Sequence, residues 1–178
     1  MDFGNLEVYR VKPPMENAPV KRKSNYNHLN NIFFHKNKFW VDLNWLSKVQ
    51  YSNSGVAVLD KDMNELERFE YGWETHAFCW LDDKKFALCA VAGNNRKIRH
   101  PKRAGLLVDN ELVFEHDIDV FCKYFIRHDD YYYLVGGTVV ERDARQVKDG
   151  TIFVLDKNFS LVNTQYFCGM GGFCGCTI

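Results

Sequence analysis

The chain has 178 residues, of which 46% are hydrophobic and 15% aromatic, and its 23 basic and 23 acidic side chains cancel to a formal net charge of zero. This length predicts one domain, residues 1–178, with a sizeable core, and a neutral surface has no long-range field that would attract a polyanion to the whole molecule. No apolar run approaches the roughly 18 to 20 residues of a membrane helix, and the start of the chain lacks the basic and apolar regions of a secretion signal. A cytoplasmic protein with no membrane partner is therefore expected.

The N-terminal segment, residues 1–27, begins with one strand candidate at residues 5–11. Pro13, Pro14 and Pro19 follow it. Proline cannot donate to a sheet ladder or continue a helix, so this part is predicted to be a linker over the surface.

Three consecutive segments, residues 28–72, 76–116 and 121–167, share one pattern. Each begins with two runs rich in aromatic and β-branched residues, separated by a short polar turn. The turns are Lys36-Asn37, Asp82-Asp83 and Asp129-Asp130. Such runs, bounded by turn residues, predict antiparallel strands.

The third strand of each segment is marked by a glycine, a short apolar run and an aspartate. The three copies are GVAVLD (55–60), GLLVD (105–109) and GTIFVLD (150–156). The aromatic residue near the start of the second strand recurs as Phe39, Phe86 and Tyr132. A fourth strand follows in each segment, and apolar residues at helical spacing are rare. The chain is therefore predicted to be all-β.

With a period of about 45 to 50 residues, the repeat resembles the blade of a β-propeller over residues 27–167. It lacks the Trp-Asp ending of one common blade class, and the paired glycines of the kelch class occur only at Gly136-Gly137. The resemblance implies a β-propeller-type array of about three four-stranded antiparallel blades, and it implies no catalytic residues. A solenoid of β-hairpins is the alternative fold.

The tail, residues 168–178, repeats the beginning of a blade, because Phe173-Cys174 matches Phe121-Cys122. It is predicted to form a partial blade with the N-terminal strand. Closed propellers need about four to eight blades, and an open ring exposes strand edges and apolar faces. A homo-oligomer is therefore expected, first a two-fold dimer that shares one ring. The alternatives are a compact four-bladed ring and a shortened version of a longer propeller.

Basic residues concentrate in the connections between second and third strands. In a propeller these connections lie on the same face as the starts of the first strands, which is the face that usually binds ligands. The cations predicted to bind a ligand are Arg96, Lys97, Arg99, Lys102, Arg103, Arg142 and Arg145. Guanidinium groups pair well with phosphate or carboxylate oxygens, so an anionic small molecule or a protein partner is expected. Solvated loops are the alternative, and nucleic acid is less favoured because no nucleic-acid-binding module is recognised.

The starts of the first strands are predicted to face the central channel, where His28, Asn30 and His76 would contact the ligand. The alternative function is a metal-dependent hydrolase or lyase, with a metal at the channel mouth held by His28, His76 and a carboxylate such as Glu74. The sequence contains no HExxH, paired CxxC, GxSxG or Walker motif. It therefore favours a non-catalytic binding protein, without a cofactor or metal, over an enzyme.

The cysteines fall into two groups. Cys79, Cys89 and Cys122 lie inside predicted strands, where small buried hydrophobes in a reducing compartment are expected. The tail cysteines match no zinc-knuckle spacing, so free thiols are expected there. They are Cys168, Cys174 and Cys176.

Overall fold

The computed structural model describes residues 29–44, 46, 53–90, 103–138 and 149–169. These residues form three four-stranded antiparallel sheets, in each of which consecutive strands pair. Sheet 1 contains β1 (Leu29–His35), β2 (Lys38–Leu43), β3 (Gly55–Leu59) and β4 (Glu65–Glu70). Sheet 2 contains β5 (His76–Leu81), β6 (Lys84–Cys89), β7 (Ala104–Val108) and β8 (Glu111–His116). Sheet 3 contains β9 (Val120–His128), β10 (Tyr131–Thr138), β11 (Gly150–Leu155) and β12 (Leu161–Phe167). The predicted all-β class with three four-stranded antiparallel units is confirmed.

The repeat in the sequence is also a repeat in strand register. Phe39, Phe86 and Tyr132 each pair with the last residue of the third strand, just before the repeated aspartate. Their partners are Leu59, Val108 and Leu155. The three aromatic residues therefore occupy equivalent positions in the three sheets, as the sequence pattern predicts.

The repeated aspartates form turns. Asp60 and Asp156 each accept hydrogen bonds from the backbone N–H groups two and four residues further along the chain, at 2.8 to 2.9 Å. In sheet 2 the corresponding turn is shorter and consists of Asp109 and Asn110, with φ values of 48° and 70°. Asp and Asn tolerate this left-handed backbone better than most residues. The turn in sheets 1 and 3 is therefore the same, and the turn in sheet 2 differs.

Sheet 2 lies between the other two sheets and packs against each of them with a different face. Both faces can carry apolar side chains, because successive side chains of a strand point to opposite faces. Ala87 and Leu107 on one face join a buried cluster with Val56 of sheet 1. The other face forms the cluster with sheet 3. Its buried members are Phe86, Leu88, Leu106, Val108, Cys122, Tyr132, Leu134, Phe153 and Leu155. Each sheet junction therefore has an apolar core of its own.

The described strands stay in three separate sheets and do not close into a ring. The predicted partial blade falls on residues 1–27 and 168–178, which lie outside the described residues except for Cys168 and Gly169. The assignment of the whole chain to one domain stays a prediction. In the described ranges, no helix is long and apolar enough to cross a membrane.

Candidate functional site

At one end of each sheet lie the start of the first strand and the connection between the second and third strands. In sheet 1, Leu43 pairs with both Leu29 and Gly55, so the start of β1, the end of β2 and the start of β3 lie together. The same relation holds in sheet 3, where Gly137 pairs with Phe121 and Gly150. We call this the loop-rich end of the sheets.

The starts of the three first strands contact one another at the loop-rich end. Asn30 of β1 donates a hydrogen bond through Nδ2 to the carbonyl of Thr75, just before β5. His76 of β5 lies edge-on to Phe121 of β9, with ring centroids 4.9 Å apart. The Lys123 ammonium group lies 5.1 Å from the same Phe121 ring. Two of the predicted ligand residues, Asn30 and His76, therefore lie at this end, whereas His28 is outside the described residues.

A buried polar network lies behind these residues, between sheets 1 and 2. The Asp42 carboxyl is fully buried, and its Oδ1 accepts a hydrogen bond of 2.6 Å from Thr75 Oγ1. The backbone N–H of Thr75 donates to Ser54 Oγ at 3.0 Å, and Ser54 Oγ donates to the Asn44 carbonyl at 2.7 Å. The network therefore links the C-terminal end of β2 and the start of β3 to the segment before β5.

The Asp42 carboxyl is protonated at neutral pH. Burial raises its pKa from the usual 3.8 to about 8, and hydrogen bonds from the Thr75 side chain and the Phe78 backbone only partly offset this rise. Within the described part of the chain, Oδ2 has no hydrogen-bond partner. Sequence reasoning missed this residue, although a lone acid between Val41 and Leu43 in an apolar strand was a signal for it.

A second polar contact aligns the same two sheets. The Asn31 side chain donates through Nδ2 to the Phe78 carbonyl at 3.0 Å and accepts through Oδ1 from the Phe78 N–H at 3.2 Å. This pair of bonds satisfies both main-chain groups of one β5 residue, in the way that a neighbouring strand would. Asn31 therefore sets the position of β5 relative to β1.

Arg103 is the one predicted loop cation that falls in the described ranges. Its guanidinium group donates to Glu115 through Nε and Nη2 at 2.9 and 2.7 Å, and this pairing raises the Arg103 pKa. Its carbonyl accepts a hydrogen bond of 2.7 Å from Trp73 Nε1. An anionic ligand at Arg103 would have to compete with Glu115. The other cations lie outside the described residues, namely Arg96, Lys97, Arg99, Lys102, Arg142 and Arg145.

The described residues contain no group of three His, Cys, Asp or Glu side chains close enough to hold a metal ion. Cys89 and Cys122 are buried, as expected for small hydrophobes. Burial raises the pKa of Cys89 to about 12, and burial raises the pKa of Cys122 as well. These thiols therefore stay protonated at neutral pH, and a thiolate nucleophile is not formed at either position.

The loop-rich end thus presents hydrogen-bonding side chains, an aromatic ring and an ammonium group along three neighbouring strand starts. Such a set can hold a polar or anionic group by directed hydrogen bonds and charge. Comparison with known protein families and with curated proteins finds no match to this chain.

Proposed function

We propose that the three sheets are consecutive blades of a β-propeller whose loop-rich end captures an anionic small ligand or a protein partner without catalysis. The observation that carries the proposal is the contact between successive first strands. Asn30 reaches the segment before β5, and His76 of β5 contacts Phe121 of β9. In a propeller the first strands line the central channel in this order, and the ligand lies at the channel mouth.

The blade arrangement is supported by the packing of sheet 2, which contacts sheet 1 with one face and sheet 3 with the other. Ala87 and Cys89 face sheet 1, whereas Phe86 and Leu88 face sheet 3. A blade in a ring has neighbours on both faces, so both of its faces must be apolar. The alternative of a solenoid of hairpins does not require the first strands of successive units to converge at one end.

The anionic preference is supported by charge. The Lys123 ammonium group lies 5.1 Å from the centroid of the Phe121 ring, which contacts His76. By sequence, the connections that begin and end at the same end of the sheets carry the predicted arginine and lysine residues. Cations around an apolar ring and amide donors favour phosphate or carboxylate groups over neutral ligands.

Lys123 provides the sharpest test, because Arg127 is a matched control on the same strand. Arg127 lies at the opposite end of β9, where it pairs with Asp82.

Inorganic phosphate and citrate would be titrated into the full chain by calorimetry, and small molecules released by heating would be identified by mass spectrometry. Lys123→Ala is expected to weaken binding about tenfold, the loss of roughly one charge-assisted hydrogen bond. Arg127→Ala is expected to leave binding unchanged. Equal effects of the two variants would contradict a site at the loop-rich end.

The basic connection before β7 is tested by replacing three arginines together. Substituting Ser for Arg96, Arg99 and Arg103 is expected to weaken anion binding sharply with little change in thermal stability, because exposed loop substitutions usually change stability by about 0.5 kcal/mol or less each. Unchanged affinity for phosphate and citrate would show that this connection is only a solvated loop.

A further inference from the structure

We infer that two copies of this chain pair through the edge strand β12, so that sheet 3 of one copy continues into sheet 3 of the other. The two strands run antiparallel about a two-fold axis at Thr164. The inference depends neither on a ligand nor on the blade arrangement. It rests on how β12 differs from β4 and β8, the outermost strands of the other two sheets.

The outer side of β12 is open in the single chain. Among the described strands, β12 pairs only with β11, on one side. Backbone N–H and C=O groups on the other side of an edge strand can form the ladder bonds of a further strand. The side chains are open to solvent as well, since Val162 is 55% and Tyr166 is 69% exposed. The partner that fits this edge is therefore another β-strand.

Strand β12 lacks the charges that the other outermost strands carry. None of its seven residues, Leu161–Phe167, is acidic or basic. By contrast, β4 has the sequence ELERFE and β8 has the sequence ELVFEH. Charged side chains on an edge strand oppose its pairing with another molecule. The repeat therefore contains one outermost strand suited to association and two that oppose it.

The sequence of β12, LVNTQYF, is complementary to itself. In an antiparallel pair centred on Thr164, this threonine lies opposite the same threonine of the second copy. Asn163 then lies opposite Gln165, and one step further out Val162 lies opposite Tyr166. Threonine pairs, and pairs of an aromatic with a β-branched residue, stabilise antiparallel sheets. This symmetry favours a second copy of the chain over an unrelated strand, because both halves of the contact are matched by one sequence.

The same pairing is unfavourable for the corresponding strand of sheet 1. Thr164 pairs with Phe153 inside sheet 3, and at the equivalent position of sheet 1 Arg68 pairs with Ala57. Two copies joined through β4 in this register would place two Arg68 guanidinium groups opposite each other. Like charges directly opposite destabilise a sheet. The choice of β12 over β4 therefore follows from a single equivalent position.

Sheet 1 also provides a matched control residue. The ladder between β11 and β12 has a register shift that skips Val162, and the ladder between β3 and β4 has the same shift at Leu66. The two side chains are almost equally exposed, at 55% for Val162 and 53% for Leu66. They therefore differ mainly in the strand on which they lie.

Light scattering during size-exclusion chromatography, over a dilution series, measures the association. The unmodified chain is expected to give twice its mass of 20.9 kDa at high concentration and to dissociate on dilution, because a contact of one strand from each copy is small. Assembly is expected to stop at two copies, since the contact uses the uncharged edge of both.

Charges on the two-fold axis test the register. Thr164→Asp and Thr164→Lys each place like charges opposite each other, and each variant alone is expected to be a monomer. An equimolar mixture of the two variants is expected to restore the dimer, because the acid of one copy then meets the base of the other. Circular dichroism and thermal melting establish that each variant is folded.

Val162→Asp and Leu66→Asp form the second test, which decides the question should the Thr164 variants not fold. Val162→Asp is expected to weaken the dimer at least tenfold, whereas Leu66→Asp is expected to leave it unchanged. Equal effects of these two variants, a mixture of Thr164 variants that stays monomeric, or wild-type aggregates larger than two copies would each overturn the inference. A wild-type monomer at every concentration would also overturn it and would leave the edge to a strand of a different protein.

Discussion

The junction between sheets 1 and 2 and the junction between sheets 2 and 3 are built from different chemistry. At the first, Asp42, Thr75 and Ser54 are joined by buried hydrogen bonds, and Asn31 pairs with the main chain of Phe78. At the second, the buried cluster consists of hydrocarbon side chains, aromatic rings and the Cys122 thiol. Both junctions have an apolar core, but the junction of sheets 1 and 2 adds a buried hydrogen-bond network. We call it the polar junction and the junction of sheets 2 and 3 the apolar junction.

The difference shows which property each junction contributes. Apolar packing stabilises the folded state in proportion to the area removed from water and has little directional preference. Hydrogen bonds require donor and acceptor in a defined geometry, and a buried group without its partner is costly. The junction of sheets 2 and 3 therefore contributes mainly stability. The junction of sheets 1 and 2 also fixes how the two sheets are aligned beneath the loop-rich end.

The largest expected effect is at the apolar junction. Leu134 is fully buried between sheets 2 and 3, so Leu134→Ala leaves a cavity and is expected to lower the free energy of unfolding by about 2–5 kcal/mol. Urea unfolding measures this change. Leu161→Ala removes an equal volume at a leucine that is 51% exposed and is expected to cost less than about 0.5 kcal/mol. Similar losses for the two variants would contradict the burial of Leu134 between sheets 2 and 3.

At the polar junction, removing one partner of Asp42 is expected to have an intermediate effect. Thr75→Val keeps the shape of the side chain but removes the hydroxyl that donates to Asp42 at 2.6 Å. A buried group that loses its hydrogen bond costs about 1–3 kcal/mol. The measurement is the same urea unfolding, and Thr164→Val, at a threonine in the edge strand β12 of sheet 3, is the comparison. A neutral Thr75→Val would show that the network has no energetic role.

The pH dependence separates the two junctions further. The Asp42 pKa is about 8 in the folded protein against a usual 3.8, so between about pH 4 and pH 8 the folded state holds a proton that the unfolded state has lost. The stability contributed by this group is therefore fully present below about pH 4, falls as the pH rises and is lost once the pH passes about 8. Asp42→Asn stays neutral and is expected to remove this slope.

The measurement is the free energy of unfolding of the wild type and of Asp42→Asn at a series of pH values. The contributions of the other titrating groups are common to both proteins and cancel in the difference between the two curves. Leu161→Ala is the control, since it changes an exposed side chain and no titrating group, and it is expected to run parallel to the wild type. A parallel course for Asp42→Asn as well would mean that the acid ionises without penalty in the folded protein.

A smaller effect is expected at the turns that distinguish sheet 3 from sheet 2. Asp156 accepts two backbone hydrogen bonds, and Asp156→Ala is expected to cost about 1 kcal/mol. Asp109 accepts one, from the Lys85 N–H at 3.1 Å, so Asp109→Ala is expected to cost less. Thermal melting of both variants tests the order, and the reverse order would contradict the role of the longer turn.

The smallest effect is expected for the pair of Arg103 and Glu115, which lies in solvent with side chains 53% and 47% exposed. Exposed ion pairs gain little, because water screens them and the side chains lose freedom. A double-mutant cycle with Arg103→Ala and Glu115→Ala is expected to give a coupling smaller than the effects of Leu134→Ala, Thr75→Val and Asp156→Ala. A coupling as large as the effect of Thr75→Val would show that the ion pair between Arg103 and Glu115 holds this loop in place.

Much of the architecture could be predicted because it depends on neighbours along the chain. Runs of aromatic and β-branched residues and the repeated turn aspartates identify the strands, and the equivalence of Phe39, Phe86 and Tyr132 is confirmed by register. The candidate site could be predicted only in part. Asn30 and His76 do lie at the loop-rich end, but the carboxyl group of Asp42 went unrecognised. Its partner, Thr75, is 33 residues away along the chain.

The sequence by itself determined three all-β units, their turns and the alternation of faces, since each is decided by interactions over a few residues. Tertiary structure alone decided which face of each sheet meets its neighbour, how deeply Asp42 is buried, and that Arg103 is paired with Glu115. These properties depend on which distant groups are brought together, and on how much water is excluded when they meet. That exclusion of water is the physical reason why an ordinary aspartate inside a strand becomes a protonated acid beneath the loop-rich end.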